Sequence, residues 1–171
     1  MAPIFMAHGH HVKGLDTGFY RDGCLYGHPT QSPQLPQTSF KDLRVLEERD
    51  FEGYDAVVHL AELSNDPLGK HSPTLTFEIN HKASVRIAQA AKAAGVQRFV
   101  YASSCAVYGE SPVLPKEEQM LPTPYSPYGA AMLIGEDLAR VFYTPYRIET
   151  VCLRLFNVYG PRERTDDEAS G

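Results

Sequence analysis

No run of apolar residues in this 171-residue sequence approaches the ~18 that a helical membrane span requires, so no membrane partner is expected. Basic residues are also too few for non-specific nucleic-acid binding. Lys and Arg total 16 against 21 Asp and Glu, giving a net charge of −5 and a pI near 5.8, and no nucleic-acid partner is expected. Met1 to Gly9 has neither a basic leader nor a long apolar core and does not read as a signal peptide. Cysteine is scarce: Cys24, Cys105 and Cys152 are odd in number, widely spaced and without a CxxC pair. That usage points to reduced thiols in a cytoplasmic setting and away from a disulfide or zinc framework. His8, His10 and His11 lack the partner spacing of a metal site and read as surface histidines, so no metal is expected. There is no internal repeat and no low-complexity block. What remains is 43% hydrophobic and 22% charged residues, the composition of one soluble globular domain with its own core.

Along the chain, strand and helix patterns alternate. Residues 11–16 (HVKGLD) form a short strand that ends on Asp16. Residues 17–39, rich in Gly, Pro, Ser and Gln, read as a long loop, and Asp42 to Asp50 as a weak helix. Tyr54 to Ala61 is an apolar, β-rich run short enough for a buried parallel strand. From Pro73 to Ala94, Leu75, Ile79, Ala83, Ile87 and Ala91 recur at helical spacing, and Gly95 stands where a C-terminal cap glycine belongs. Arg98 to Ser103 is a further buried strand. Ser126-Pro127 reads as an N-cap with proline in the first turn, opening a helix to about Phe142. Thr150 to Phe156 supplies another strand. The run from Ser64 to Gly69 reads as an Asx-Pro turn that can line a cleft, and Tyr143 to Arg147 as a helix-to-strand connector. Alternating strands and helices specify βαβ units and a parallel sheet, an α/β fold.

Six segments then occur in one order: strand-ending Asp16, HLAEL at 59–63, EIN at 78–80, RFVYASSCAVYG at 98–109, SPYGAAM at 126–132 and RLFNVYGPR at 154–162. Together they resemble the NAD-dependent epimerase/dehydratase branch of the extended short-chain dehydrogenase/reductase family, over nearly the whole chain. The resemblance implies a Rossmann-like doubly wound parallel sheet over residues 1–171, NAD as cofactor and a nucleotide sugar as substrate. It places Asp16 on the hydroxyls of the adenosine ribose, where a carboxylate repels a 2′-phosphate and favours NAD over NADP. A turn-capping carboxylate is the alternative for Asp16. Asp42 and Leu43 correspond to a pair that brackets the adenine. Ala61 brings backbone near the cofactor, Asn80 braces the active-site region, and Phe156 lies near the nicotinamide. Ser104 corresponds to a catalytic residue that also binds substrate, Tyr128 to the catalytic tyrosine of a YxxxK motif, and Asn157 to a residue at the substrate's diphosphate. Relatives commonly dimerise, here through helices 73–94 and 126–142.

The chain departs from this pattern in three places. Methionine stands at 132, where the YxxxK lysine belongs, and neither Lys nor Arg lies within four residues of Tyr128. In that motif the ammonium lowers the phenol's pKa and binds the nicotinamide ribose. Without it, a phenol of pKa ~10 is about one part in a thousand ionised at neutral pH, roughly 4 kcal/mol of lost poise. Met132 reads as a packing residue on the helix's inner face. Second, no GxxGxxG phosphate loop occurs in the sequence, and such a loop carries the pyrophosphate on backbone amides. The expectation is a chain lacking the first βα unit, with strand 11–15 either pairing directly with strand 56–60 or poorly ordered. A substrate domain is also expected beyond the acidic tail Thr165 to Ser170. Third, Glu62 follows Ala61 where relatives carry a small residue, and a carboxylate there repels a pyrophosphate unless it turns away. Three readings follow: an impaired nucleotide-sugar epimerase/dehydratase, a catalytically silent homologue that binds a partner, or an oxidoreductase on another hydroxyl or carbonyl substrate.

Overall fold

The structure is a computed structural model, and it describes residues 1–19, 35–64, 66–110, 116–146 and 148–158, with the backbone alone over 138–146. The predicted tail Thr165 to Ser170, Cys24, Asn65, Arg147 and the end of the RLFNVYGPR run lie outside those residues. The chain divides into two compact units, Met1–Phe40 with Asn157–Gly171, and Lys41–Phe156.

In the first unit a short helix, α1 (Ala2–Ala7), precedes β1 (Lys13–Asp16), which pairs in parallel with β2 (Gln37–Phe40). The register runs from Lys13 opposite Gln37 to Asp16 opposite Phe40. The expected loop over 17–39 is therefore interrupted by a strand at its end. The sequence Gln-Thr-Ser-Phe carries no apolar alternation because three of its four residues are exposed, so the period-2 signal is missing. The ladder of β1 is with β2, not with the strand near 56–60.

The second unit opens with two 3₁₀ turns, Leu43–Val45 and Glu48–Asp50, where one weak helix was expected. Asp42 caps the first turn by accepting the Arg44 N–H at 2.8 Å. Asp50 caps the second from within, taking the Glu47 N–H at 2.8 Å while it pairs with Lys41. Each short cap closes its own turn and stops propagation.

Three parallel strands follow, β3 (Ala56–His59), β4 (Arg98–Ser104) and β5 (Glu149–Leu155), in the order β3-β4-β5. Helical segments fill the crossovers: α2 (Asp66–His71), α3 (Pro73–Thr76), a π-helical stretch over Phe77–Ala83, and α4 (Ser84–Ala93) between β3 and β4. A 3₁₀ turn (Cys105–Tyr108) and α5 (Pro127–Tyr146) lie between β4 and β5. Asp66 to Gly69, within the run Ser64 to Gly69 expected as a turn, are helical. The chain does bend before them, but Gly69 packs against the backbone of Tyr128, and that contact needs a helical turn to present it.

Along β4, Phe99, Tyr101 and Ser103 are buried and face the helices, together with His59 of β3. Ile87, Ala91, Val107, Ala131 and Met132 complete that core. On the other face Val58, Val151, Leu153 and Leu155 are exposed. Among the described residues no helix is long and apolar enough to cross a membrane.

Candidate active site

The site grows from the carboxyl end of β4. Ser104 is the last strand residue, and its Oγ accepts the Ala106 N–H at 3.2 Å, starting the 3₁₀ turn that ends the strand. The partner group arrives on α5. Ser126 caps that helix by accepting the Gly129 N–H at 3.0 Å, and its hydroxyl donates to the Asp66 carboxylate. The Tyr125 hydroxyl donates to the same carboxylate at 3.5 Å. Asp66, at the start of α2, thus anchors the first turn of α5. Two glycines let the elements close on each other. A Cβ at Gly69 would come within 3.0 Å of Tyr128, and one at Gly129 within 2.5 Å of the Ala106 carbonyl. The outcome is that the Ser104 hydroxyl lies close enough to the half-buried Tyr128 phenol to act on its ionisation.

Electrostatically the phenol sits among acids. Burial raises its pKa above 10.0, the Ser104 hydroxyl lowers it, and Glu62, Asp66 and Cys105 raise it again. Met132 is fully buried, and the Tyr101 hydroxyl donates to its Sδ at 3.7 Å. It packs with Val107, Tyr108 and Leu133 beside Tyr128, as a core residue of the helix's inner face.

Glu62 points inward, with its side chain 7% exposed. The next residue is clamped: the Asn80 amide accepts the Leu63 N–H and donates to the Leu63 carbonyl, both at 2.8 Å. Asn80 reaches this position from the π-helical stretch, a distortion often found at functional positions. Burial pushes the Glu62 carboxyl up to about 8, an effect that the Tyr101 and Ser84 hydroxyls offset only in part. His59, equally buried, is pushed down to about 4 by the same desolvation.

The remaining residues singled out from sequence fall as follows. Asp16 ends β1, exposed, and accepts the Gly18 N–H at 2.6 Å. Asp42 carries an ion pair and hydrogen bonds from Arg44 that hold its carboxyl below the usual range. Leu43 is buried and Ala61 half-buried. Phe156 is exposed but stacks on Tyr108, ring centres 6.2 Å apart. Asn157 is exposed and belongs with Asp16 to the first unit, the others to the second. Ser104 and Tyr128 are thus brought together, while the Asn80 amide is taken up by the Leu63 backbone.

Sequence reasoning missed Asp66 as the anchor of α5, and it missed the buried pair of Glu136 and Arg154. Arg154 donates to both oxygens of Glu136, at 2.7 to 3.1 Å, and also to the Tyr108 hydroxyl and the Glu118 carbonyl. Ser103 adds a 2.6 Å bond to Glu136. These partners stand 18 to 60 residues apart, so no local spacing announces them.

The model of the NAD dependent epimerase/dehydratase family matches residues 2–171. The chain belongs to that family. An uncharacterized UDP-glucose epimerase of Bacillus subtilis is 38% identical over 117 residues, covering 67% of this chain and 36% of the relative. An NAD-dependent NDP-hexosamine 5,6-dehydratase of tunicamycin biosynthesis superposes with a TM-score of 0.81 at 30% identity. It covers 95% of this chain, which spans 52% of that structure. The UDP-glucose 4-epimerase of Thermus thermophilus, solved with NAD, gives 0.77 at 30% identity over 97% of this chain and 53% of its own. These neighbours establish the fold as Rossmann-like α/β. The chain spans about half the length of the solved structures and 36% of the Bacillus relative.

NAD is the family's cofactor. The residues beside Tyr128 do not fit its nicotinamide half in the manner the YxxxK motif implies. The side chain at 132 is an apolar thioether with no exposed surface, and the charges around the phenol are acidic.

Proposed function

We propose that this chain is a nucleotide-sugar epimerase/dehydratase-like protein in which proton abstraction by Tyr128 is impaired or absent. The observation that carries this reading is the burial of Met132 against Tyr101 while Glu62 and Asp66 face the phenol. Desolvation and the Asp66 carboxylate both stabilise the neutral phenol, the reverse of what a general base at neutral pH requires. Tyr128 and Ser104 retain what neutral hydroxyls do: each donates or accepts a hydrogen bond, and together they can orient one hydroxyl or carbonyl of a ligand. The nucleotide-sugar class is carried over from the relatives, whose names specify UDP-glucose and NDP-hexosamine.

The test is turnover and binding by the chain itself. With NAD and UDP-glucose supplied, epimerisation should stay at the background rate, and calorimetry should show no micromolar binding of NAD. Turnover that Tyr128→Phe abolishes would overturn the reading. Turnover that survives Tyr128→Phe would place the chemistry on another group and support the absence of proton abstraction by Tyr128.

A further inference from the structure

Glu62 lies in the wall between β3, the π-helical stretch and β4, and the hydroxyls around it have competing acceptors. The Ser84 hydroxyl has one hydrogen, and it donates to the Asn80 carbonyl at 2.9 Å. Ser84 Oγ therefore accepts from His59 Nε2, 2.7 Å away, which fixes the proton of the neutral imidazole on Nε2. That nitrogen lies 3.9 Å from Glu62 Oε1, outside hydrogen-bond reach. The Tyr101 hydroxyl, which lies against the carboxyl, donates to Met132 Sδ at 3.7 Å. Glu62 Oε1 is buried with no hydrogen-bond partner. A carboxylate accepts only, and the Tyr101 and Ser84 hydroxyls, each also bonded elsewhere, offset its burial only in part. A carboxylic acid brings its own hydrogen and can donate to Tyr101 or Ser84. The clamp of Asn80 on both backbone groups of Leu63 keeps the side chain from swinging out to water.

We propose that Glu62 is a positioning residue of the Ser104–Tyr128 site, a buried neutral acid whose ionisation suppresses that of the Tyr128 phenol. Around neutral pH Glu62 is protonated and the phenol faces one charged acid, Asp66. As pH rises Glu62 loses its proton, and a second negative charge faces Tyr128 in a poorly screened setting. The other titratable groups there are His59 on β3, Tyr101 on β4, Cys105 after β4 and Cys152 on β5, the last acting on Tyr101. His59 is already neutral above acid pH, and none of these groups supplies a cation. Burial gives the direction: the carboxyl is pushed up to about 8, below the range in which the phenol titrates. Tyr128 is thus hardest to ionise in the alkaline range, where an isolated phenol would begin to do so. The proposal rests on the reading of Ser104 and Tyr128 as a ligand site only for its consequence, not for its test.

The test is an alkaline titration of the whole chain, following tyrosinate absorbance. The difference between the native chain and Tyr128→Phe isolates Tyr128, and the same difference is taken in a Glu62→Gln background. Glu62→Gln should lower the apparent pKa of Tyr128 by about one unit, a tenfold drop in proton affinity, as expected of one charge removed at medium range. Identical Tyr128 titrations in the two backgrounds would overturn the proposal. Should the amide variant not fold, Glu62→Met, similar in length and without hydrogen-bonding hydrogens, carries the same comparison. Infrared spectra add a reading on the native chain. Near neutral pH ordinary carboxyls are ionised, so a carboxylic C=O band that Glu62→Met abolishes supports a neutral Glu62. Its absence from the native spectrum overturns the proposal. Neither measurement reads UDP-glucose turnover, so an inactive site leaves the result intact and an active one does not rescue it.

Discussion

Glu62 and Glu136 are both buried beside β4, and the protein treats them in opposite ways. Glu136 receives a two-pronged guanidinium from Arg154 and a hydroxyl from Ser103, so its charge has donors on both oxygens. The same Arg154 stacks over Tyr108, whose ring in turn supports Phe156. That network ties α5 to β4 and β5 and is structural. Among the described residues, the one ion-pair partner of Glu62 is a histidine that burial keeps neutral, and one of its oxygens has no hydrogen-bond partner. A paired acid tells where the fold is fixed. An unpaired acid next to a hydroxyl pair tells where protonation is used.

Removing Arg154 would make Glu136 resemble Glu62, and this should be the largest effect. Arg154→Leu leaves a buried carboxylate uncompensated, for which about 3–5 kcal/mol is the usual cost. Urea denaturation near neutral pH reads it. The double variant Arg154→Leu with Glu136→Leu should recover most of that loss, because an apolar pair of similar volume replaces a buried ion pair at little net cost. A single variant within 1 kcal/mol of the native chain would mean that Glu136 does not depend on its partner, and the contrast with Glu62 would collapse.

The second perturbation takes the titration away from Glu62. Its folded pKa of about 8 lies above the ordinary 4.5, so its contribution to stability is complete below 4.5 and is lost as pH rises towards 8. His59 runs the other way. Its folded pKa of about 4 lies below 6.5, so its contribution is complete above 6.5 and is lost as pH falls towards 4. In Glu62→Gln the alkaline decline should flatten while the acid decline stays. Relative to the native chain, its stability should rise on the order of 4 kcal/mol between pH 4.5 and 8. Parallel pH profiles for the two proteins would show that Glu62 is ionised in the folded chain after all.

How much of this was legible in the sequence depended on range. Strands near 54–61, 98–103 and 150–156 announce themselves as short β-rich apolar runs, and the helix opening at Ser126-Pro127 does so because its cap is local chemistry. Burial on both faces was expected for the first two strands, yet Val58 of β3 is exposed. The strand β2 did not, since its four residues are held by backbone pairing to β1 and three of them are exposed. The α2 helix was hidden behind turn residues, and only the approach of Gly69 to Tyr128 explains it. At the site, Ser104 and Tyr128 stood out by motif, and Met132 by the lysine it replaces. The inward turn of Glu62 was not readable, because it is imposed by Asn80 acting on Leu63 across 17 residues, from a π-helical register that apolar periodicity does not encode.

The smallest expected effect concerns a third acid, at the opposite end of the same strands. Glu149 begins β5 and pairs with Arg98 at the start of β4, with Arg98 Nε at 3.0 Å from its Oε2. This pair joins the same two strands near their amino ends, but its side chains are 59% and 64% exposed. Water solvates both charges whether or not they meet, and holding two long side chains together costs rotamer freedom. Arg98→Ala should therefore change stability by no more than about 0.5 kcal/mol, with most of that difference gone at high salt. The comparison with Arg154→Leu then sets an exposed Arg–Glu pair between β4 and β5 against a buried one between α5 and β5. If Arg98→Ala proved as costly as Arg154→Leu, the ion pairs would be joining strands rather than neutralising buried charge, and the unpaired state of Glu62 would lose its meaning.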